Sequence, residues 1–262
     1  MKVSDILSCV EALAPSYMKM DWDNVGLLCG DPDQEVSKVL VALDPFEDVA
    51  REAHEVGAQL ILTHHPLIFR PCKTVTQADP VGRTIRYLIK NDISAINAHT
   101  NLDCAPGGVN DELAAALGLS EVSVIDPQGT DSQGRPWGLL RKGLVKEQPL
   151  ENFLETVKEQ LHCPGLRYVS CGKPVHQVAV GGGACGSELM DAVKAGCDTF
   201  VTSDLKYNQF WDAGDWGINL IDAGHFYTEN PVCRVLQGLI QENFPEITTV
   251  ISKKHGDCMK FF

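Results

Sequence analysis

The chain has 262 residues, with 35 acidic and 22 basic side chains and a formal net charge of −13. Hydrophobic residues make up 44% and charged residues 22%, which excludes wholesale disorder, a collagen-like fibre and a coiled coil. The acidic excess disfavours a nucleic-acid partner, because contact with the phosphate backbone depends on clustered lysine and arginine. The same excess is compatible with bound metal cations.

Neither a membrane span nor a secretory signal is predicted. No apolar run approaches the ~20 residues that a membrane-spanning helix needs, and the first residues lack the pattern of a signal peptide. The ten cysteines occur singly, without a C-x-x-C pair, which predicts buried and reduced thiols. We therefore expect a cytoplasmic protein with no membrane partner.

The first half of the chain alternates predicted helices and strands. Its elements, in chain order, are a helix at 3–14, a strand at 38–43, a helix at 46–56, a strand at 59–63, a helix near 80–90, a strand at 93–98 and a short helix capped from Asn110. Strand, helix and strand between 38 and 63 form a βαβ unit, which implies parallel strands with a right-handed crossover.

The segment 126–136, DPQGTDSQGRP, has no hydrophobic periodicity and predicts a domain boundary. We expect an α/β fold with two lobes, at 1–125 and 126–262, in which the last third (about 218–262) returns to the site. The predicted elements of the second lobe are a strand at 137–145, a helix at 150–161, a strand at 166–171 and a second βαβ unit made of HQVAVGG, SELMDAVKAG and DTFVTS.

The two βαβ units predict an internal duplication. An ungapped offset of 139 residues aligns Val41 with Val180 and Ala53 with Ala192. The strand that follows each unit also matches, at an offset of 126, and each copy then has a histidine four residues before a carboxylate. Because internal repeats commonly form a site at the interface of their copies, we expect the metal site between the two lobes.

Potential metal ligands follow three of the predicted parallel strands. The carboxyl ends of such strands border the crevice in which open α/β sheets bind ligands. Histidine and carboxylate are the ligands that divalent first-row cations prefer, and six donors indicate two ions that share Asp103 and Glu229. The six donors are His64 and His65, His99 and Asp103, and His225 and Glu229.

Four segments resemble the NIF-three-like family, the dinuclear metal-centre proteins also named type 2 homologues of GTP cyclohydrolase 1. They are DWDNVGLLCGDP, LILTHHPLIF, AHTNLDCAPGGVND and NLIDAGHFYTE. The resemblance implies a protomer of two α/β domains, a pair of divalent metal ions and a toroidal homohexamer. It carries the metal ligands onto His64, His65, Asp103, His225 and Glu229, with His99 as a neighbour of the site.

One departure from the family's pattern affects the loop TSDLKYNQF. Many relatives have a histidine where this chain has Asn208, so no role in the site is assigned to that residue. Lys206 and Tyr207 could contact a substrate, or could simply be exposed residues at the start of a helix. The loop Trp22–Asp23–Asn24 could form a lip of the metal cleft or an ordinary turn.

A rival site comes from GGGACG at 181–186, which fits the dinucleotide-binding pattern G-x-G-x-x-G between a strand and a helix. Tight packing explains such glycines more often, and the first copy of the repeat has no glycine there. We therefore favour the metal site.

The function that we predict is a metal-dependent hydrolase acting on a nucleotide-like substrate. Two divalent ions, such as zinc, iron or manganese, would make hydroxide available near neutral pH. His99 would transfer protons. By resemblance, attack on the imidazole-ring carbon of a purine nucleotide such as GTP would release formate. The alternative is a non-enzymatic metal carrier or a regulatory scaffold ring, which the same ligands would serve.

Overall fold

The computed structural model describes residues 1–260, which form two compact units. Unit 1 consists of Met1–Leu102 and Val232–Gly256; unit 2 consists of Asp103–Pro231 and a short segment beginning at Asp257. The strands are β1 (Gly26–Cys29), β2 (Lys38–Ala42), β3 (Leu60–Thr63), β4 (Ser94–Asn97), β5 (Ser120–Ile125), β6 (Gly129–Thr130), β7 (Pro136–Trp137), β8 (Leu140–Gln148), β9 (Arg167–Val169), β10 (Val175–Val180), β11 (Thr199–Thr202), β12 (Asn219–Asp222) and β13 (Thr248–Ile251). The helices are α1 (Val3–Leu13), α2 (Glu47–Glu55), α3 (Pro80–Lys90), α4 (Thr100–Cys104), α5 (Val109–Ala116), α6 (Leu150–Leu161), α7 (Leu189–Lys194), α8 (Tyr207–Trp216), α9 (His225–Glu229) and α10 (Val232–Asn243).

The sheet of unit 1 has the strand order β1-β4-β3-β2-β13. Its last four strands run parallel, and β1 pairs antiparallel with β4 at the edge. The central strands are continuous apolar runs, as expected for strands covered on both faces. Leu40, Ile61 and Leu62 are fully buried, and each such side chain stabilises the fold by about 1.5–3 kcal/mol.

The sheet of unit 2 has the order β5-β8-β10-β11-β12-β9. Strands β10, β11 and β12 are parallel, whereas β5, β8 and β9 pair antiparallel with their neighbours. Apolar cores lie on both faces: Phe153 and Val157 of α6 pack in one, and Phe200 and Leu220 in the other. Unit 1 therefore presents the carboxyl ends of four adjacent parallel strands at one edge of its sheet, and unit 2 presents those of three.

The predicted duplication is confirmed by the pairing registers. Val41 pairs with Leu62 in unit 1, and the residues 139 positions later, Val180 and Val201, pair in unit 2. Beyond the third parallel strand, Ala98 N donates to Thr63 O at 3.0 Å and Ala223 N donates to Thr202 O at 2.9 Å. These alanines are 125 positions apart, so one extra residue, Gly224, precedes the histidine of the second copy.

Most helices lie where the apolar spacing predicts them. The helix predicted at 150–161 is α6, and α3 starts at Pro80 because Asp79 accepts a hydrogen bond from Gly82 N at 2.7 Å. The prediction that Asn110 caps a helix is wrong. Helix α5 begins at Val109, and Asn110 is buried inside it, where its side chain donates to the carbonyls of Asp103 and Leu139.

The division into units differs from the boundary predicted at 125/126. The first crossing of the chain lies between Leu102 and Asp103, and the segment 126–136 is part of unit 2, where it contributes to the β6–β7 hairpin. Asp131 holds that hairpin by accepting from the backbone and guanidinium of Arg135. The last third also divides differently: β12 and α9 stay in unit 2, whereas α10 and β13 complete unit 1. Polar composition reveals a loop but not whether that loop joins two domains.

Within residues 1–260, no helix combines the length and the apolar character that a membrane crossing requires.

Candidate metal centre

Three histidines follow adjacent parallel strands of unit 1. His64 and His65 come directly after β3, and His99 lies two residues beyond the end of β4. Thr63 and Asn97, the last residues of these strands, are paired in the sheet. The three histidines therefore lie at the same edge of the sheet, where open α/β folds bind ligands.

The three imidazoles form a compact cluster. Ring centroids are 5.0 Å apart for His64 and His65, 5.2 Å for His64 and His99, and 5.6 Å for His65 and His99. One ring nitrogen of each lies within 4.8 Å of one from each of the others. His64 is fully buried and the other two are half-buried. The structure thus brings His99 into the same ligand group as the histidine pair.

Each imidazole of this cluster bonds an oxygen acceptor through Nδ1. His64 Nδ1 lies 2.9 Å from the carbonyl of Ala98, and His65 Nδ1 lies 2.7 Å from Asp44 Oδ1. His99 Nδ1 lies 2.8 Å from Asp23 Oδ1. An oxygen acceptor requires the proton on Nδ1, so the neutral ring carries its lone pair on Nε2. This is the arrangement by which proteins orient histidines toward a metal ion.

Asp23 is buried and accepts hydrogen bonds from other groups besides His99. Its carboxylate accepts from the backbone N and the hydroxyl of Thr100, and from Asn24 N at 2.7 Å. Burial raises the pKa of this carboxyl, but the hydrogen bonds from His99 and Thr100 outweigh burial and bring the pKa well below its usual range. Asp23 is therefore ionised at neutral pH and fixes the ring orientation of His99.

The donors of unit 2 include two buried carboxylates and one imidazole. His225 and Glu229 begin and end α9, one turn apart, with Nε2 and Oε2 3.0 Å from each other. Asp103 lies on α4, and one of its carboxylate oxygens is within 4.8 Å of one from Glu229. Asp103 is 6% exposed and Glu229 4% exposed. A divalent cation would offset the repulsion of two buried carboxylates at this distance.

His225 repeats the Nδ1 arrangement of unit 1. Its Nδ1 lies 2.8 Å from Oδ2 of Asp204, a residue that adopts φ +54° two positions beyond the end of β11. Burial lowers the pKa of His225, but the carboxylates of Asp204 and Glu229 raise it to about 11 in the metal-free chain. The hydrogen bond from His225 in turn lowers the pKa of Asp204. A metal ion bound at Nε2 would take the place of a proton.

The glycine-rich turn after β10 lies against the ligand Glu229. Gly183 has φ +65°, and a Cβ built on it would lie 2.1 Å from Glu229 Oε1. Gly182 N donates to Asn110 Oδ1 and Gly183 N donates to Thr228 Oγ1. The turn is followed by a 3₁₀ turn and by α7, which has six residues. Close packing on a carboxylate explains these glycines, in place of the cradle for a phosphate that the dinucleotide interpretation requires.

The structure brings the predicted ligands together in two sets. The set of unit 1 is His64, His65 and His99, and in unit 2 Glu229 lies close to both Asp103 and His225, which form the second set with it. Tyr207 is 78% exposed at the start of α8, and Asn208 donates to Asp212 one turn later on that helix, so neither is part of these sets.

Sequence reasoning missed two of the carboxylates that position the histidines. Asp44 follows β2, and Asp204 occupies the position 139 residues after His65. Both stand just beyond the end of a parallel strand, which is the signal that identified the histidines. The sequence marks Asp23 only as part of a loop, because its partner His99 is 76 positions away.

The chain matches known proteins over its whole length. A family model described as Duf34/NIF3 (NGG1p interacting factor 3) matches residues 1–257. The chain belongs to the Duf34/NIF3 family. A Clostridium perfringens relative, called a GTP cyclohydrolase 1 type 2 homolog, is 36% identical over 263 residues, which cover 100% of both chains.

Solved structures of the Duf34/NIF3 family share the fold. A Bacillus cereus protein related to NIF3 superposes with a TM-score of 0.94 at 28% identity, covering 100% of this chain and 99% of that one. A Staphylococcus aureus hypothetical protein superposes with a TM-score of 0.92 at 31% identity, with the same coverage. The predicted family and the predicted α/β fold are thereby confirmed.

Proposed function

We propose that the chain binds two divalent metal ions through His64, His65, Asp103, His225 and Glu229, and hydrolyses a nucleotide-like substrate with them. One observation carries this proposal. All four histidines of the two sets, including His99, bond a carboxylate or carbonyl through Nδ1. Histidines that serve only the core have no common need for one tautomer, whereas metal ligands do.

The chemistry of the donors fits divalent first-row cations such as zinc, iron or manganese. Imidazole nitrogens and carboxylate oxygens suit these ions, and a carboxylate can bridge two of them. When bound, such ions supply Lewis acidity and lower the pKa of coordinated water. Asp103 and Glu229 would hold the pair, since their carboxylates lie close together and are buried.

His99 is the residue that we assign to proton transfer. Asp23 keeps the proton on Nδ1, which leaves Nε2 as the ring nitrogen that can exchange a proton with the substrate. Curated relatives bear the name GTP cyclohydrolase 1 type 2 homolog, which makes a purine nucleotide the first substrate to test. One water would add to the imidazole-ring carbon of the purine and open the ring to a formamide, and a second water would hydrolyse that formamide to release formate.

The experiment pairs metal analysis with product analysis. Protein purified without added metal is analysed for its elements, reloaded with zinc or manganese, and assayed for formate release from GTP. We expect two ions per chain and formate from the wild type, with Asp103→Asn reduced in both. Asp215→Asn, on the exposed face of α8, is the matched control. Metal-loaded protein that releases no formate would refute the hydrolase and leave the metal carrier.

The assembly is also a proposal. A toroidal homohexamer would agree with the family resemblance, and a cytoplasmic location with cysteines that occur singly, without a C-x-x-C pair. Light scattering coupled to size exclusion should give six times the mass of the chain, and a monomeric mass for metal-loaded protein would refute the ring.

A further inference from the structure

An open cavity of about 880 Å³ lies in unit 1 beside the candidate ligand His65. Its walls come from the start of α2, the loop between β3 and α3, and the first turn of α3. This volume falls within the range of roughly 300–1,000 Å³ that small-molecule sites occupy. The cavity could therefore hold a substrate-sized molecule next to one of the proposed metal ligands.

The loop that walls the cavity is long and exposed, yet anchored. Residues 64–79 contain no helix or strand, and residues 69–78 are all exposed. Asn24 Nδ2 donates to the carbonyl of Ile68 at 2.7 Å near the start of the loop. Near its end, Thr76 packs so closely on α3 that a Cβ on Gly82 would lie 2.6 Å from Thr76 O. Irregular loops of this length in a compact domain usually serve function.

Aromatic rings and prolines form much of the lining. Phe46 is 61% exposed and Phe69 is 47% exposed, although both are large apolar side chains. Phe69 is held edge-on against His99 and Trp22, at ring-centroid distances of 6.0 Å and 5.7 Å. Exposed phenyl rings at a cavity offer faces on which a planar ring can stack. Lining prolines stiffen the wall, because their backbone φ is fixed.

One part of the lining offers cations that can contact an anionic group on the ligand. Two exposed cations, Arg70 and Lys73, lie on the loop. Three of the lining carboxylates already have partners. Asp44 pairs with His65, Glu47 with Arg51 and Arg83, and Asp79 with the backbone N of Gly82. Asp48 adds one exposed carboxylate on α2. Guanidinium and ammonium groups together are a common setting for phosphate.

We propose that this cavity binds a planar aromatic compound that carries a phosphate group. The ring lies against Phe46 and Phe69, and the phosphate lies at Arg70 and Lys73. The inference deepens the proposed function and rests on it, because the cavity would present such a substrate to the ligand His65. The cavity would then select the substrate, a choice that the metal ligands alone do not make.

Calorimetry with three probes tests the two halves of the cavity separately. GTP, guanosine and inorganic tripolyphosphate are titrated into chelator-treated, gel-filtered protein. We expect Arg70→Glu/Lys73→Glu to raise the Kd of GTP and tripolyphosphate at least tenfold and to leave guanosine unchanged. Phe46→Ala should raise the Kd of GTP and guanosine roughly tenfold, as the loss of one stacking contact would, and leave tripolyphosphate unchanged.

Matched controls lie outside the cavity. Arg86→Glu/Lys90→Glu makes the same charge change on the exposed face of α3, and Tyr207→Ala removes an exposed ring from α8. Both should bind all three probes as the wild type does. Absence of GTP binding at millimolar concentration, or equal losses in cavity and control variants, would overturn the inference. Calorimetry does not measure formate, so its result is independent of the hydrolysis assay. GTP binding at the cavity, together with no formate in that assay, would support the cavity and refute the proposed function.

Discussion

Asp23 hydrogen-bonds both to the ring of a histidine and to the first residue of a helix. The same carboxylate accepts from His99 Nδ1 and from the backbone N of Thr100, the first residue of α4. An anionic acceptor at a helix start compensates the exposed N–H groups there. Helix α4 also carries Asp103, so the hydrogen bond at its first residue helps to fix the position of a second predicted ligand.

Asp23→Asn should lower the activity while preserving the fold. The amide has the same shape but no charge, so it holds the Nδ1-protonated ring of His99, the residue assigned to proton transfer, less firmly. Loss of such an outer contact typically costs roughly 10–100-fold in metal affinity or activity. Formate release from GTP by metal-loaded protein measures the activity, with the exposed Asp5→Asn as control. Equal rates for the wild type and Asp23→Asn would contradict the orienting role.

Glu229→Ala should lose more metal than His99→Ala. Glu229 is buried, contacts His225 at 3.0 Å and lies close to Asp103, so one carboxylate could serve both ions. His99 contributes one imidazole to a cluster of three. Elemental analysis after dialysis against trace zinc gives the number of ions bound to each variant. Glu229→Gln keeps the side-chain volume but removes the charge, so it shows which of the two losses matters. A greater loss in His99→Ala would make the imidazole cluster the main determinant of binding.

The turn between β10 and α7 is shaped by the proposed ligand that it touches. Gly183→Ala should reduce metal content and stability, because the new methyl group meets Glu229 Oε1 and the left-handed φ disfavours alanine. Gly196→Ala is a close control: its φ is +81°, but a Cβ there meets nothing within 4 Å. Both variants should lose about 1–2 kcal/mol from backbone strain. Metal analysis should show a loss in Gly183→Ala alone.

Helix α2 is tied to the end of unit 1 by Glu52. This buried carboxylate accepts from the hydroxyl of Ser252 and from the backbone N of Lys253 and Lys254. Burial raises the pKa of Glu52, but these hydrogen bonds outweigh burial and lower it. A lowered folded-state pKa means that the stabilisation is present above the ordinary glutamate pKa and is lost as the pH falls through the folded value.

Glu52→Gln should therefore destabilise the chain in a pH-dependent way. We expect a loss of about 1.5–3 kcal/mol in the free energy of unfolding at pH 7, as for hydrogen bonds to a charged group. The difference from the wild type should shrink as the pH falls below about 4. Urea unfolding at both pH values measures it, with the exposed Glu55→Gln on the same helix as control. A difference independent of pH would exclude the ionised carboxylate as its cause.

Bound metal ions should stabilise a chain that is already folded without them. Each unit has an extensive apolar core, unlike a zinc finger. Removal of metal should lower the Tm by roughly 5–15 °C, as expected when a tight ligand leaves the native state. Far-ultraviolet circular dichroism at room temperature should keep its helical signal after chelation. Loss of that signal would show that the metal is required for folding.

The sequence predicts local features of this molecule better than distant pairings. The histidines after β3 and β4 were identified because strand periodicity ends one or two residues before them. The crossing between Leu102 and Asp103 escaped detection because it lies inside α4, where nothing in TNLDC marks a boundary. The pairing of β13 with β2 joins segments about 210 positions apart, and no local pattern encodes that choice of neighbour.

Unit 1 is formed by two segments that lie far apart in the chain, which constrains when its sheet can be completed. As a ribosome synthesises the protein, β2 emerges about 210 residues before β13, the strand that covers its edge. Until β13 emerges, the backbone N–H and C=O groups along that edge are open to pairing with other nascent chains. A co-translational chaperone that shields this edge would therefore have to act throughout the synthesis of that intervening stretch.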